Sequence, residues 1–226
     1  MKRAERINIF VEEIWKWYAR HKRDLPWRDL DIHNDDERAY RILVSEIMLQ
    51  QTQVSRVVGA YKRFLEEFPT LQDLAQASNR DVLIAWRGMG YNSRALRLRD
   101  CASAIALRSE GMEVRRSGGV SHKTFRPSDL PTYPRKGVFP RAIQELQQLP
   151  GVGHYTAAAI RNFAFNLPTP CLDTNIRRIL HRIFVGPENA DGTWKKDDRY
   201  LLKIAKEVLD AAMQWSVPHV VETPSD

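Results

Sequence analysis

The stretch Leu149-Pro150-Gly151-Val152-Gly153-His154-Tyr155-Thr156-Ala157 decides how this chain folds. It lies between residues 141–148 and 155–166, both of which carry helical periodicity. A Leu-Pro-Gly-Val-Gly run between two helices reads as a hairpin, because glycine reaches backbone angles that other residues resist. Two backbone N–H groups within Gly151, Val152, Gly153 and His154, the candidate DNA-binding residues, can then point outward at the start of the second helix, and such amides bind anions. An ordinary turn between antiparallel helices also fits these residues. Ala157, Ala158 and Ala159 give the second helix a small face, which permits the close packing that a tightly held hairpin requires. Asp173 follows Tyr155 by 18 residues, in Cys171-Leu172-Asp173-Thr174-Asn175, where the next helical segment begins.

The chain has 226 residues and a formal net charge of +7. That length can bury one large core or two small ones, and the charge favours a polyanionic partner. On such a chain the expected anion at the hairpin is a DNA phosphate, and a phosphate grip coupled to Asp173 points to chemistry on the adjoining sugar or base. No apolar run approaches the roughly 20 residues of a membrane span. The N-terminus reads as running straight into an amphipathic helix, so no signal peptide is expected. There are two cysteines, Cys101 and Cys171, and neither belongs to a Cys-x-x-Cys pair, so a cysteine-built metal site is not expected. A cytoplasmic, monomeric protein is expected, with double-stranded DNA as partner and no membrane.

Working outward, the signal is helical almost throughout, and the expected class is all-α. Ile7, Phe10, Val11, Ile14, Trp17 and Tyr18 recur at helical spacing. Pro26 breaks that helix, and residues 29–37 read as an acidic loop. Helices are expected over 40–58, 61–68, 71–75 and 81–87, the last ended by Gly88-Met89-Gly90, and then over 93–109 with Ser93 as cap. Residues 111–138 break the pattern. Between positions 108 and 141, eight basic residues stand against three acidic ones, so this is a long basic loop, either in contact with phosphates or a solvated linker. Helical signal returns over 174–185 and 198–215.

The segment around Glu46 is unusual. Glu46 flanks an apolar face, and the run Gln50-Gln51-Thr52-Gln53 is polar but uncharged. One reading is a snorkelling acid beside an amide-rich surface. The other is a carboxyl group held against apolar neighbours, with its pKa raised, serving as a general acid.

Four blocks, in order, make the chain recognisable: Leu25-Pro26-Trp27-Arg28; Ser45-Glu46-Ile47-Met48-Leu49-Gln50-Gln51-Thr52-Gln53-Val54; Trp86-Arg87-Gly88-Met89-Gly90-Tyr91; and the hairpin with Leu172-Asp173-Thr174-Asn175. With them the chain resembles the helix-hairpin-helix DNA glycosylase superfamily, and most closely its adenine-specific MutY branch, over about three quarters of its length. The resemblance implies a two-lobed all-α fold. One lobe is expected at residues 32–165, holding Glu46, the hairpin and the basic loop. The other is expected from 1–31 plus 166–226, holding Asp173, with DNA and a flipped base between the two. The second lobe's expected core is Phe10, Ile14, Trp17, Ile179, Ile183, Phe184, Leu202, Val208, Leu209 and Met213.

The resemblance also implies roles. Glu46 matches the acid that protonates an adenine leaving group. Asp173 matches the carboxylate that stabilises the sugar cation, and Tyr155 and Asn175 support this chemistry. Gln51 and Tyr91 match residues that enter the base stack, and Trp27 and Arg28 match the base pocket. Elementary chemistry agrees, since N-glycosidic cleavage needs a proton on the base and negative charge near an oxocarbenium-like sugar. The base must also leave the stack first. At the hairpin position of Tyr155, the endonuclease III-like branch has a lysine that forms a Schiff base. A phenol cannot form that imine, so a monofunctional glycosylase is expected.

The chain departs from the family pattern in ways that bear on opposite-base preference more than on excision. The family carries four cysteines for an iron–sulfur cluster after the catalytic region, and a C-terminal domain that reads 8-oxoguanine. Neither is present in this sequence, so no cofactor is expected. Residues 111–138 exceed the usual connection, Thr174 replaces a common glycine, and Asn92 replaces a second tyrosine. The expected reaction is removal of adenine mispaired with guanine or 8-oxoguanine. The alternatives are a mismatch thymine glycosylase and a truncated, inactive DNA-binding module.

Overall fold

A computed structural model describes residues 2–28, 30–107, 138–187, 189 and 193–214. Among these the chain forms ten α-helices and no strand, so the all-α class holds. The expected basic loop lies almost wholly outside the described residues. The chain divides into two compact units, 1–24 with 167–226, and 25–166. The first boundary falls after Asp24 rather than after residue 31. The cause is Trp27, which is 1% exposed and packs edge-to-face on Tyr61 within the second unit.

The unit 25–166 contains α2 (Asp35–Leu49), α3 (Val54–Glu67), α4 (Leu71–Gln76), α5 (Asn79–Ala85), α6 (Ser93–Ala106), α7 (Ile143–Leu146) and α8 (His154–Phe163). α2 packs on α3, α6 and α8, while α4 and α5 pack on α6. Local chemistry sets the helix starts. The Asn34 side chain accepts from the amides of Asp36 and Glu37, and three acids in the first turn suit the helix dipole. Residues 35–37, expected in a loop, are therefore helical. Thr70 and Asp73 form a reciprocal capping box for α4. α6 differs from expectation: Asn92 is its N-cap without a side-chain bond, and the Ser93 hydroxyl accepts from Arg97 instead.

A larger correction concerns residues 40–58, read from the sequence as one helix. The chain leaves helix after Leu49 and re-enters it at Val54. Gln51 adopts a left-handed backbone with φ of 55°, which an L-residue does not hold inside an α-helix. The polar Gln50–Gln53 run is a turn and not a helix face.

The other unit contains α1 (Arg3–His21), α9 (Thr174–Phe184) and α10 (Asp198–Gln214). α10 packs against both α1 and α9. Its core is Leu180, Leu201, Ile204 and Ala205, flanked by Phe10, Leu172, Ile176, Phe184 and Val208. Phe10 meets Phe184 edge-to-face at 5.5 Å. Ile14 and Trp17 were expected in this core but are 45% and 59% exposed, and Ile179, Ile183 and Met213 are exposed as well. On α1 the buried residues are Ile7 and Val11; at about 3.6 residues per turn Ile14 continues their face further along the helix, and it is exposed there, as is Trp17. The periodicity was right, but the apolar residues outnumber those the neighbouring helices cover: on α1 burial reaches Ile7 and Val11 and stops before Ile14.

Candidate active site and nucleic-acid interface

Glu46 sits on α2 among buried residues and is itself only 6% exposed. The bland reading, a snorkelling surface acid, is overturned. Burying a carboxyl group without a polar partner is costly. Arg28 supplies one such neighbour, with Nη2 4.0 Å from Glu46 Oε1, at the outer limit of an ion pair. The Arg28 guanidinium also lies over the ring of Phe163, 3.7 Å from its centroid, and its Nη1 is buried with no hydrogen-bond partner among the described residues. A cavity of about 370 Å³ opens here, lined by Trp27, Arg28, Leu30, Arg38, Ile42, Asn162, Phe163 and Asn166. Arg38 is held in its wall by the carbonyls of Ala164 and Ile32. A cavity with an aromatic wall and the Arg28 guanidinium group in its lining suits a planar ligand that accepts a hydrogen bond.

Trp27 and Arg28, expected together as a base pocket, both line this cavity, but they differ in character. Trp27 is a core residue on Tyr61, while Arg28 offers the polar contact. Arg38, Asn162 and Phe163 were not singled out from sequence. They belong to helices whose periodicity says nothing about a shared cavity.

The hairpin forms as expected between α7 and α8. Gly151 has φ of 76°, and a Cβ placed there would stand 3.2 Å from Arg97 Cβ, so the turn lies close against α6. Gly153 is the N-cap of α8 and brings no side chain to its first amides. His154 and Tyr155 follow, both exposed. Val152 differs from expectation: its N–H donates to the Leu149 carbonyl at 3.2 Å and its side chain is buried. Its amide closes the turn, and the anion-binding potential lies in Gly153 and the first turn of α8. The small face of α8 is buried as well, and α8 packs on α2.

Two turns carry the expected wedge residues. Gln51 is exposed beyond the end of α2. Tyr91 is 65% exposed, with φ of 48°, after Gly88 and Gly90, which also have positive φ. In the other unit, Asp173 is the N-cap of α9 and accepts from the Ile176 amide at 2.6 Å. Asn175 is exposed in the first turn of the same helix. The capping bond fixes the Asp173 carboxylate at the positive end of α9. Behind it, Arg177 is tied to Asp198 at 2.6 and 2.8 Å, which pulls the Asp198 carboxyl below its ordinary value.

The chain's two cysteines, Cys101 and Cys171, belong to different units. They do not supply the four thiolates that an iron–sulfur cluster takes. No cluster of three or more metal-ligating side chains occurs among the described residues.

Residues 44–209 match the model of the HhH-GPD superfamily base excision DNA repair protein. The chain is 39% identical to the adenine DNA glycosylase of Mus musculus over 91% of its own length and 35% of the mouse protein. It is 36% identical to the adenine DNA glycosylase of Mycolicibacterium smegmatis over 85% of its own length and 55% of that protein. It thus spans about a third to a half of the curated relatives it matches. Among solved structures, a thermostable thymine-DNA glycosylase superposes with a TM-score of 0.66 at 23% identity, covering 93% of this chain and 85% of that one. A non-covalent endonuclease III–DNA complex gives 0.62 at 19% identity, with 96% and 82% covered. These two likenesses concern the fold. The chain belongs to the HhH-GPD superfamily of base excision DNA repair proteins.

Proposed function

We propose that this chain is a monofunctional DNA glycosylase that removes adenine mispaired with guanine or 8-oxoguanine in double-stranded DNA, acting as a monomer and without a cofactor. The observation that carries the reading is the buried Glu46 carboxyl, 4.0 Å from the guanidinium of Arg28, a residue that lines the cavity. The similarity to adenine DNA glycosylases supports adenine as the base.

In this mechanism the first turn of α8 holds a phosphate, Gln51 and Tyr91 occupy the stack, and the extruded base enters the cavity beside Trp27 and Arg28. Glu46 gives its proton to a base nitrogen. The C1′–N bond breaks with its electron pair on the base, so adenine departs neutral. The Asp173 carboxylate stabilises the positive charge left on the sugar, and Tyr155 and Asn175 support that step. Water then adds to C1′ and passes a proton back to the ionised Glu46 carboxylate, which restores the acid and leaves an abasic site. Tyr155 offers no amine for an imine, so the strand stays intact.

The deciding experiment is single-turnover excision on duplexes carrying adenine or thymine opposite guanine or 8-oxoguanine, followed by alkali. Adenine release with strand breaks only after alkali is expected. Preferential thymine release would make the chain a mismatch thymine glycosylase. Binding without release of either base would make it a DNA-binding module. Borohydride trapping of an adduct would reveal lyase chemistry.

A further inference from the structure

Arg94 stands on α6 in the apolar stripe that continues through Leu98, Cys101 and Ile105, and it is buried with them. A guanidinium in such a place is out of pattern, and burial depresses its pKa. Its contacts explain its presence. Nη1 donates to the carbonyls of Ile47 and Met48 at 3.2 and 3.0 Å, and also to that of Gln50. Nη2 donates to Thr52 Oγ1 at 3.1 Å and to the carbonyls of Met89 and Gly90 at 3.1 and 3.2 Å. The guanidinium also lies 5.6 Å from the Trp86 ring centroid and 5.4 Å from that of Tyr91. Trp86 Nε1 donates to the same Gly90 carbonyl at 3.1 Å.

One planar cation therefore bridges two turns that are far apart in sequence. The first is the end of α2, which has no basic residue in its own last turn, so its unsatisfied carbonyls receive Arg94 from another helix. The second is the turn before α6. Each turn contains one non-glycine residue in left-handed backbone, Gln51 at 55° and Tyr91 at 48°. In both, the residue immediately before it gives its carbonyl to Arg94. Left-handed backbone at such residues is strained and persists only when surrounding structure over-determines it. The fork of Arg94 supplies that determination, and a single ammonium could not reach as many acceptors in one plane.

We propose that Arg94 is a positioning residue that locks Gln51 and Tyr91 into one preformed wedge, so that the two side chains enter the base stack as a unit. This rests on the glycosylase reading given above. The wedge matters for unstacking and not for breaking the bond. Loss of Arg94 therefore slows excision from a stacked pair and spares excision of a base that is already loose.

The test uses the full chain with Arg94→Gln and Arg94→Lys. Single-turnover excision is measured on two duplexes, with adenine opposite 8-oxoguanine and with adenine opposite an abasic-site analogue that leaves it unstacked. Arg94→Gln should lose roughly ten- to a hundredfold on the first and under about threefold on the second, because unstacking is worth a few kcal/mol. Arg94→Lys should fall between wild type and Arg94→Gln on the first duplex. In the Arg94→Gln background, Gln51→Ala and Tyr91→Ala should add little, since the wedge is already undone. Equal losses on both duplexes, or full additivity, would overturn the proposal. Hydrogen exchange on the free proteins is the second measurement. Amides of residues 49–53 and 88–92 should exchange faster together in both variants, while α8 is unchanged. Unaltered or uniformly faster exchange overturns the clamp even if wild-type protein excises nothing. Inert wild-type protein with paired loosening of the two turns refutes the glycosylase reading and leaves the clamp standing.

Discussion

Two buried residues set the sharpest expectations at the residue scale. Glu46→Gln keeps the shape of the side chain and removes its proton. Single-turnover excision should fall by roughly 10²–10⁴, the range of a lost general acid, while duplex affinity measured by fluorescence anisotropy stays within a factor of about two. Wild-type rates in this variant would remove Glu46 from the reaction. Cys101 is a structural thiol, and burial pushes it up to about 12. In the unfolded chain a thiol titrates near 8.5. The folded state therefore holds the proton more tightly, and this contribution to stability is complete below pH 8.5. It is lost as pH rises toward about 12. Urea midpoints for wild type should drop more steeply over that alkaline range than those of Cys101→Ala, and alkylation of Cys101 at neutral pH should require unfolding.

At the scale of elements, the hairpin is the feature with least freedom. Gly151 combines positive φ with a neighbour only 3.2 Å from where a Cβ would stand. Gly151→Ala should destabilise the chain by more than about 1 kcal/mol in urea denaturation, since the strained backbone and the crowding against Arg97 act together. The displaced turn also carries the first amides of α8, so affinity for undamaged duplex should weaken. Unchanged affinity in a folded Gly151→Ala protein would mean that the hairpin does not hold DNA. Leu149-Pro150-Gly151-Val152-Gly153 announced this turn without help from the rest of the chain, because glycine requirements are local. The break after Leu49 was not announced. Gln50-Gln51-Thr52-Gln53 contains neither proline nor glycine, and its turn depends on an arginine more than 40 residues away.

For the molecule as a whole, the sharpest expectation concerns the core of one unit. In the unit of α1, α9 and α10, Leu201 and Ile204 are fully buried. Leu201→Ala should cost about 2–5 kcal/mol by chemical denaturation, the range for emptying a core site. Ile14→Ala should stay within about 0.5 kcal/mol, as at exposed positions generally. A reversed ranking would mean that the exposed side of α1 is covered in solution. The same loss should reach activity, because α9 carries Asp173 at its start and Leu180 in its core.

Local chemistry alone determined much of this protein. The helical periodicity, the capping residues and the glycine hairpin are short-range signals that sufficed for an all-α fold, and the resemblance carried by the four blocks pointed to its family. Tertiary structure decided how far along each helix burial reaches. It put Ile7 and Val11 inside and left Ile14, on the same face, and Trp17 outside, because a helix is buried only where its neighbours cover it. It also decided that Val152 spends its amide on the turn, that Arg28 faces a cavity with Asn162 and Phe163, and that Arg94 is the common clamp of two turns. Each of these depends on acceptors or walls supplied by residues distant in the chain, and no window of sequence contains both partners.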